Sequence, residues 1–273
     1  MSVGNNFQGL SACRERLQPD QWSEITSLYE NNFDAIFPRD PFSTEALKEF
    51  FSPKERSRIK PGLDAAFLLN DDYVIKQKTS RRKRRGYTFF FGRSGFRGIT
   101  LLRHTLSLVS GKNSAELKGW FDIDPSGSGR EQLGALIEVI KQSDFIITDT
   151  YHLCVNAMRL GVPVLGIGLD EKDQKGTLGD FKKAVLFSMF GRDAQYVSAK
   201  TKRLGLAEIK RSIYALGEAR RRSEKDVDDL GKRILKFKRA LKNEIFFLAG
   251  LTGPEGSFCC SERVGLNHPS QKR

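Results

Sequence analysis

Residues 143 to 168 read Ser-Asp-Phe-Ile-Ile-Thr-Asp-Thr-Tyr-His-Leu-Cys-Val-Asn-Ala-Met-Arg-Leu-Gly-Val-Pro-Val-Leu-Gly-Ile-Gly, which spells a buried strand, a polar turn, a helix and a second buried strand. Phe145 to Ile147 is a short apolar run of the kind a parallel sheet covers on both faces. Thr148-Asp149-Thr150 follows at its carboxyl end, where a helix N-cap is expected. Leu153, Ala157 and Leu160 then recur at helical spacing, Gly161 closes the helix, and Pro163 opens the next apolar run. Thr150, Tyr151 and His152 therefore stand where a strand's carboxyl end meets a helix's amino end. In open α/β sheets that crevice binds ligands, because unpaired N–H groups and the helix dipole favour an anion there.

The same alternation extends outward. Strands are predicted at Tyr87 to Phe91 and Leu117 to Phe121, with helices at Ile99 to Val109 and Glu131 to Lys141 between them and Phe145. Strands separated by such helices imply parallel pairing with right-handed crossovers, a Rossmann-like sheet in an α/β protein. Upstream, Trp22, Ile25, Leu28 and Tyr29 mark a helix over 21–31, and Ala35-Ile36-Phe37 a strand ended by Pro38. Ser43 reads as the N-cap of a helix through Phe51 with Ala46, Leu47 and Phe50 on its apolar face, and Ala65 to Leu69 as another strand. That is a partial α/β domain, with too few strands to be doubly wound. Helices are expected over 180–190 and from Ala207 to about Phe247, with breaks at Gly217 and Gly231. The expected organisation is a partial N-terminal domain at 1–75, a basic linker at 76–86, a Rossmann-like donor-binding domain at 87–200, C-terminal helices at 201–250 and a disordered tail at 251–273.

At 273 residues, 39% hydrophobic and 29% charged, the chain has enough apolar content for a sizeable core. Its longest apolar stretches, 162–169 and 245–251, fall short of the ~20 residues of a membrane span. Asn5, Asn6, Gln8 and Arg14 break any signal-peptide core, so a cytoplasmic location is expected, with peripheral membrane contact as an addition. Four cysteines, Cys13, Cys154, Cys259 and Cys260, are too few and scattered for a disulfide framework, and Cys154 reads as a small core residue. Cys259 and Cys260 with His268 match no zinc spacing.

The net charge of +13 implies anionic partners or substrates. Arg81-Arg82-Lys83-Arg84-Arg85 is one basic block, and 202–242 carries many more Lys and Arg at helical spacing. Such a block serves as a solvated linker or contacts membrane phosphates, nucleic acid or a polyanionic glycan. The aromatic-interleaved pattern of single-stranded nucleic-acid binders is absent, so no specific nucleic-acid partner is expected.

The stretch ending in Thr150-Tyr151-His152, followed by a helix and Gly161-Val162-Pro163, resembles the signature of the polysaccharide pyruvyl transferase family, where the triplet is Arg-Leu-His. The histidine is kept and the arginine is not. Arg39-Asp40-Pro41-Phe42-Ser43 with Leu47 resembles the family's Arg-Asp-x-x-Ser-x-x-x-Leu stretch, and Asp64-Ala65-Ala66-Phe67-Leu68 its Asp-x-Ala-Phe-Leu stretch. Gly176-Thr177-Leu178-Gly179-Asp180-Phe181-Lys182-Lys183 resembles the segment that begins the closing helices. The resemblance covers about residues 30 to 245. It implies two Rossmann-like domains facing each other in the GT-B arrangement, with about half of the first domain missing here. It also implies phosphoenolpyruvate as donor substrate, no cofactor, and a saccharide or lipid-linked saccharide of a surface polysaccharide as acceptor.

A ketal-forming transfer from phosphoenolpyruvate needs cations for phosphate and carboxylate, and a general acid for the enol carbon or the departing phosphate. His152 titrates near neutrality and is the expected catalytic residue, a capping histidine being the plainer alternative. The resemblance carries donor contact over to His152 alone, since Thr150 supplies neither an arginine's charge nor its fork. Thr150, Tyr151 and Asp149 are expected to line the donor site, with Asp149 orienting His152 or binding ligand hydroxyls. Gly92-Arg93-Ser94-Gly95-Phe96-Arg97-Gly98 follows a strand end, so its amides fit an anion, with Arg93 or Arg97 replacing the missing charge; an ordinary turn is the alternative. Asp122-Ile123-Asp124 reads as a turn rather than a metal site. Asp40 and Asp64 match family positions and also suit turns and caps. Two other readings share these residues: a GT-B glycosyltransferase using a nucleotide-sugar, and a truncated non-catalytic module that binds a glycan or anion.

Overall fold

The computed structural model describes residues 2–5, 18–69, 86–123, 129–170, 180–221 and 223–248. Ser2–Asn5 (β1), Pro19–Asn32 (α1), Ile36–Pro38 (β2) and Pro41–Phe50 (α2) form the first part, with β1 and β2 paired in parallel. Tyr87–Phe90 (β3), Ile99–Ser110 (α3), Ser114–Glu116 (β4), Gly129–Gln142 (α4), Phe145–Thr148 (β5), Tyr151–Arg159 (α5) and Val164–Leu169 (β6) follow. Phe181–Met189 (α6), Tyr196–Ala199 (β7), Leu206–Arg221 (α7) and Ser223–Leu248 (α8) complete the described chain.

Strands β3 to β7 form one five-stranded sheet, all parallel, in the order β4-β3-β5-β6-β7. Its pleat sends alternate residues to opposite cores. Ile146 and Val164 point to a core shared with Ile137, Leu153, Phe187 and Phe237, from α4, α5, α6 and α8. Phe145, Ile147, Leu165 and Ile167 point to the other, closed by Leu102 and Leu106 of α3 and Ile209 and Leu216 of α7. The sheet is thus covered on both faces, as its apolar strands require. Ala35, Phe37, Leu63 and Phe67 belong to the first core, and the rings of Phe37 and Phe237 lie 6.1 Å apart. The N-terminal segment therefore shares a core with the sheet.

Local polar groups moved several expected boundaries. The α2 N-cap is Asp40, whose carboxylate accepts from the Ser43 amide at 2.7 Å, so Ser43 is inside the helix. Ala65–Leu68 is a 3₁₀ turn rather than a strand, because the Asp64 carboxylate accepts from the Ala66 amide at 2.9 Å and bends the chain. The fourth strand is Ser114–Glu116, ahead of its expected place: Leu117 still donates to Phe89 O, but Gly119 at φ 78° turns the chain away. β7 was not anticipated; four residues after a tight turn carry too little periodicity. Gly217 and Gly231 both lie within helices. The basic block 81–85, the tail 251–273, Cys13, Cys259, Cys260, His268 and Asp124 lie outside the described residues.

Cys154 is fully buried and its thiol is pushed up to about 12, chiefly by burial, so it is an inert core residue. No helix among the described residues is long and apolar enough to cross a membrane.

Candidate functional site

Three segments far apart in the chain meet around the ring of Tyr151, the first residue of α5. The Arg39 guanidinium lies 4.8 Å from the ring centroid, and Lys182 Nζ lies 5.1 Å from it. The Asp64 carboxylate lies close enough to raise the pKa of the Tyr151 hydroxyl, and the His152 ring stands edge-on at 5.3 Å. Arg39 immediately precedes the Asp40 cap of α2, and Lys182 is the second residue of α6. The amino ends of α2, α5 and α6 thus converge, each adding partial positive charge. Phe42 and Phe181, both exposed, touch at 5.7 Å beside them.

Local hydrogen bonds fix these side chains. Asp40 takes the Ser43 amide and hydroxyl and accepts from Arg39 Nε at 3.3 Å. That holds the buried guanidinium in one orientation while its Nη2 is left without a partner. A buried donor with no acceptor is costly, and a bound anion relieves the cost. Burial and Asp64 hold the Tyr151 hydroxyl well above the usual phenol range, so it remains a neutral donor.

The electrostatics point the same way. Although His152 is exposed in area, neighbouring atoms desolvate it and lower its pKa; Lys182 and Arg39 add to the shift, and Asp64 opposes it. Burial also lowers the pKa of Lys182, helped by Arg39, Arg93 and Lys183 and opposed by Asp180. Cations that suppress one another's protonation make a site for a multiply charged anion.

The glycine-rich loop has a different occupant. The buried Asp149 carboxylate accepts the amides of Gly92 at 3.1 Å, Arg93 at 3.0 Å and Ser94 at 2.7 Å, so these N–H groups cradle the protein's own anion. Thr150 is buried, and its hydroxyl donates to Asp149 at 3.2 Å. Asp149 and Thr150 thus build the loop under the site, while Arg93 reaches the field of Lys182. Arg97 is drawn elsewhere: its amide donates to Lys202 O and its carbonyl accepts from Leu204, and no contact of the cluster involves it.

Beneath, the buried Lys183 ion-pairs with Asp180 at 2.6 Å and donates to Asp149 O. Asp180 in turn accepts from the Leu169 amide at 2.6 Å, locking α6 to the end of β6. Gly168 makes this possible, since a Cβ there would lie 2.3 Å from the Tyr196 hydroxyl and 3.1 Å from Lys183. Sequence reasoning passed over Arg39, Lys182, Lys183 and Asp180 as site residues, although all four stand in quoted motif stretches. What it lacked was the third dimension: no spacing shows that residues 39, 151 and 182 share one ring. A largely apolar cavity of about 560 Å³, lined by Ala65, Leu68, Leu69, Trp120 and Leu133, also reaches His152.

Arg39, Asp64, Tyr151 and His152 fall within one matched span: the model of polysaccharide pyruvyl transferase matches residues 23–171. The chain belongs to the polysaccharide pyruvyl transferase family. No curated protein matches it. The matched span takes in Arg39, Asp64 and His152, and α6 with Lys182 lies beyond it.

Thr150, which stands where the signature this stretch resembles has an arginine, is only 4% exposed, and the Arg39 guanidinium lies over the neighbouring Tyr151 ring. Thr150→Arg is expected to destabilise the protein by about 2–4 kcal/mol through overpacking and an unpaired buried charge, without strengthening anion binding. Denaturant melts with parallel phosphoenolpyruvate titrations check this. A stable variant that binds more tightly would mean the arginine is missing rather than replaced.

Proposed function

We propose that this polysaccharide pyruvyl transferase family member transfers pyruvate from phosphoenolpyruvate onto two hydroxyls of one sugar of a surface polysaccharide or its lipid-linked precursor. The observation that carries the reading is the buried, unpartnered Nη2 of Arg39 beside Lys182 and His152. Phosphoenolpyruvate presents a phosphate and a carboxylate on neighbouring atoms. Arg39, Lys182 and Arg93 take these charges, and the helix ends add to the field.

His152 is neutral at rest. Its proton, acquired with the anion, goes to the methylene carbon of the enol, leaving positive charge on the central carbon. One acceptor hydroxyl adds there and loses its proton to the now neutral imidazole. Phosphate then leaves with its bonding electron pair, the second hydroxyl of the same sugar closes the ring, and its proton ends on the departing phosphate, giving hydrogen phosphate. The products are a cyclic ketal and inorganic phosphate. Tyr151, held as a phenol, orients the site rather than exchanging protons.

The test is release of phosphate and transfer of labelled pyruvate from phosphoenolpyruvate to a panel of glycosides. His152→Ala is expected to lower the rate by ~10²–10⁴-fold, the span of general acid–base contributions. Label transfer at the wild-type rate by His152→Ala would overturn the role of the histidine. No transfer to any acceptor, with tight binding of a nucleotide-sugar, would favour a glycosyl donor.

A proton linkage follows. The free His152 pKa lies below its ordinary value, and a dianion at Arg39 and Lys182 raises it. Between those two values binding takes up a proton, so affinity falls as pH rises through the bound-state value. Calorimetry in two buffers of different ionisation heat is expected to show greater proton uptake for wild type than for His152→Gln. Equal uptake would place the proton elsewhere.

A further inference from the structure

We infer that the outer face of α8 docks on an anionic lipid surface. Two stripes divide this helix. Leu230, Ile234, Phe237 and Leu241, spaced by four, three and four, pack into the core behind the sheet. On the opposite side run Lys232, Leu235, Arg239, Lys242 and Phe246, with Lys236 and Lys238 flanking them. From Leu230 to Asn243 the helix carries six Lys and Arg and no Asp or Glu. Arg233 is turned inward, donating to Met189 O and lying over the Phe190 ring, and Lys232 pairs loosely with Asp229 at 3.8 Å. Lys236, Lys238 and Arg239 are exposed.

The apolar residues of this face decide the partner. Leu235 is 49% exposed, and Phe247, beside Lys236 at the edge of this face, is 77% exposed. Lys242 lies over the Phe246 ring at 5.4 Å, with the cation above an aromatic body. A polynucleotide would use the cations and leave Leu235 and Phe247 in water. A bilayer uses both: the ammonium and guanidinium groups meet lipid phosphates while the aliphatic and aromatic side chains enter the headgroup boundary. A second copy of the chain, equally cationic here, would repel. The inference is independent of the donor chemistry, and it gives an enzyme of lipid-linked saccharides a reason to sit at the membrane.

The test is co-sedimentation of the full chain with vesicles of phosphatidylcholine alone and with one-third phosphatidylglycerol, across a salt series. Binding to the anionic vesicles only, weakening steeply with salt, is expected. Lys236→Gln/Arg239→Gln/Lys242→Gln is expected to lower the partition coefficient roughly a hundredfold, since each basic group near such a surface contributes about a factor of five. Phe247→Ser should lower it at every salt concentration, because its contribution is not ionic. Thermal melts and phosphoenolpyruvate titrations of the same variants establish that fold and donor site are intact. Three results overturn the inference: no wild-type binding to anionic vesicles, unchanged binding by the triple variant, or binding to single-stranded RNA that outcompetes the vesicles and ignores Phe247→Ser.

Discussion

Asp149→Ala is expected to cost about 3 kcal/mol, lowering Tm by roughly 6–12 °C. The carboxylate is 1% exposed and accepts three loop amides and the Thr150 hydroxyl. Hydrogen bonds to a charged acceptor are each worth more than neutral ones, although water reaches part of this loop once the carboxylate is gone. Asp149→Asn keeps one acceptor oxygen of nearly the same shape, enough for the Arg93 and Ser94 amides, and is expected to lose about half as much. The loop carries Arg93, so both variants also weaken anion binding. Calorimetric melts that place Asp149→Ala within 2 °C of wild type, on the ~2–4 °C per kcal/mol of a chain this size, would remove the carboxylate from its structural role.

Arg39→Ala is expected to weaken phosphoenolpyruvate binding ten- to a hundredfold or more, the loss of one charge-assisted contact from Nη2 at ~1.5–3 kcal/mol. Arg39→Lys should recover only part of it, because a lysine carries the charge without the fork. The guanidinium also packs on Tyr151 and bonds Asp40, so a stability loss accompanies the change and is measured separately. Arg97→Ala is the control. Its backbone is tied to the segment after β7 and its side chain takes no part in the cluster's contacts, so affinity should be unchanged. An Arg97 effect as large as that of Arg39 would move the anion site to the glycine-rich loop.

The strand, turn and helix from Phe145 to Arg159 were legible because three signals agree there: an apolar run, a capping turn and a helical period closed by Gly161. The parallel sheet followed from the same alternation. The 3₁₀ turn after Asp64 was not legible, since Ala-Ala-Phe-Leu is apolar enough for a strand and only the cap bends it. At the site, sequence reasoning placed His152 at a helix amino end, where it stands. It looked for positive charge in the nearest basic loop, whose Arg93 acts on Lys182, and did not see that a guanidinium from more than a hundred positions upstream lies over Tyr151. Asp149 was expected to orient His152 or bind ligand hydroxyls; that its carboxylate also accepts the Gly92, Arg93 and Ser94 amides shows only once the chain is folded. Long-range pairing carries no local period, so the fold was readable in segments and the site only in part.

In the proposed function the donor anion binds at Tyr151, between the amino ends of α2, α5 and α6. The most direct test is a crystal structure of the chain soaked with phosphoenolpyruvate. The expected result is a phosphate or carboxylate within hydrogen-bond distance of Arg39 Nη2 and Lys182 Nζ, with the methylene carbon toward His152. Density for the ligand at Gly92–Gly98, with Arg39 Nη2 still unpartnered, would contradict it.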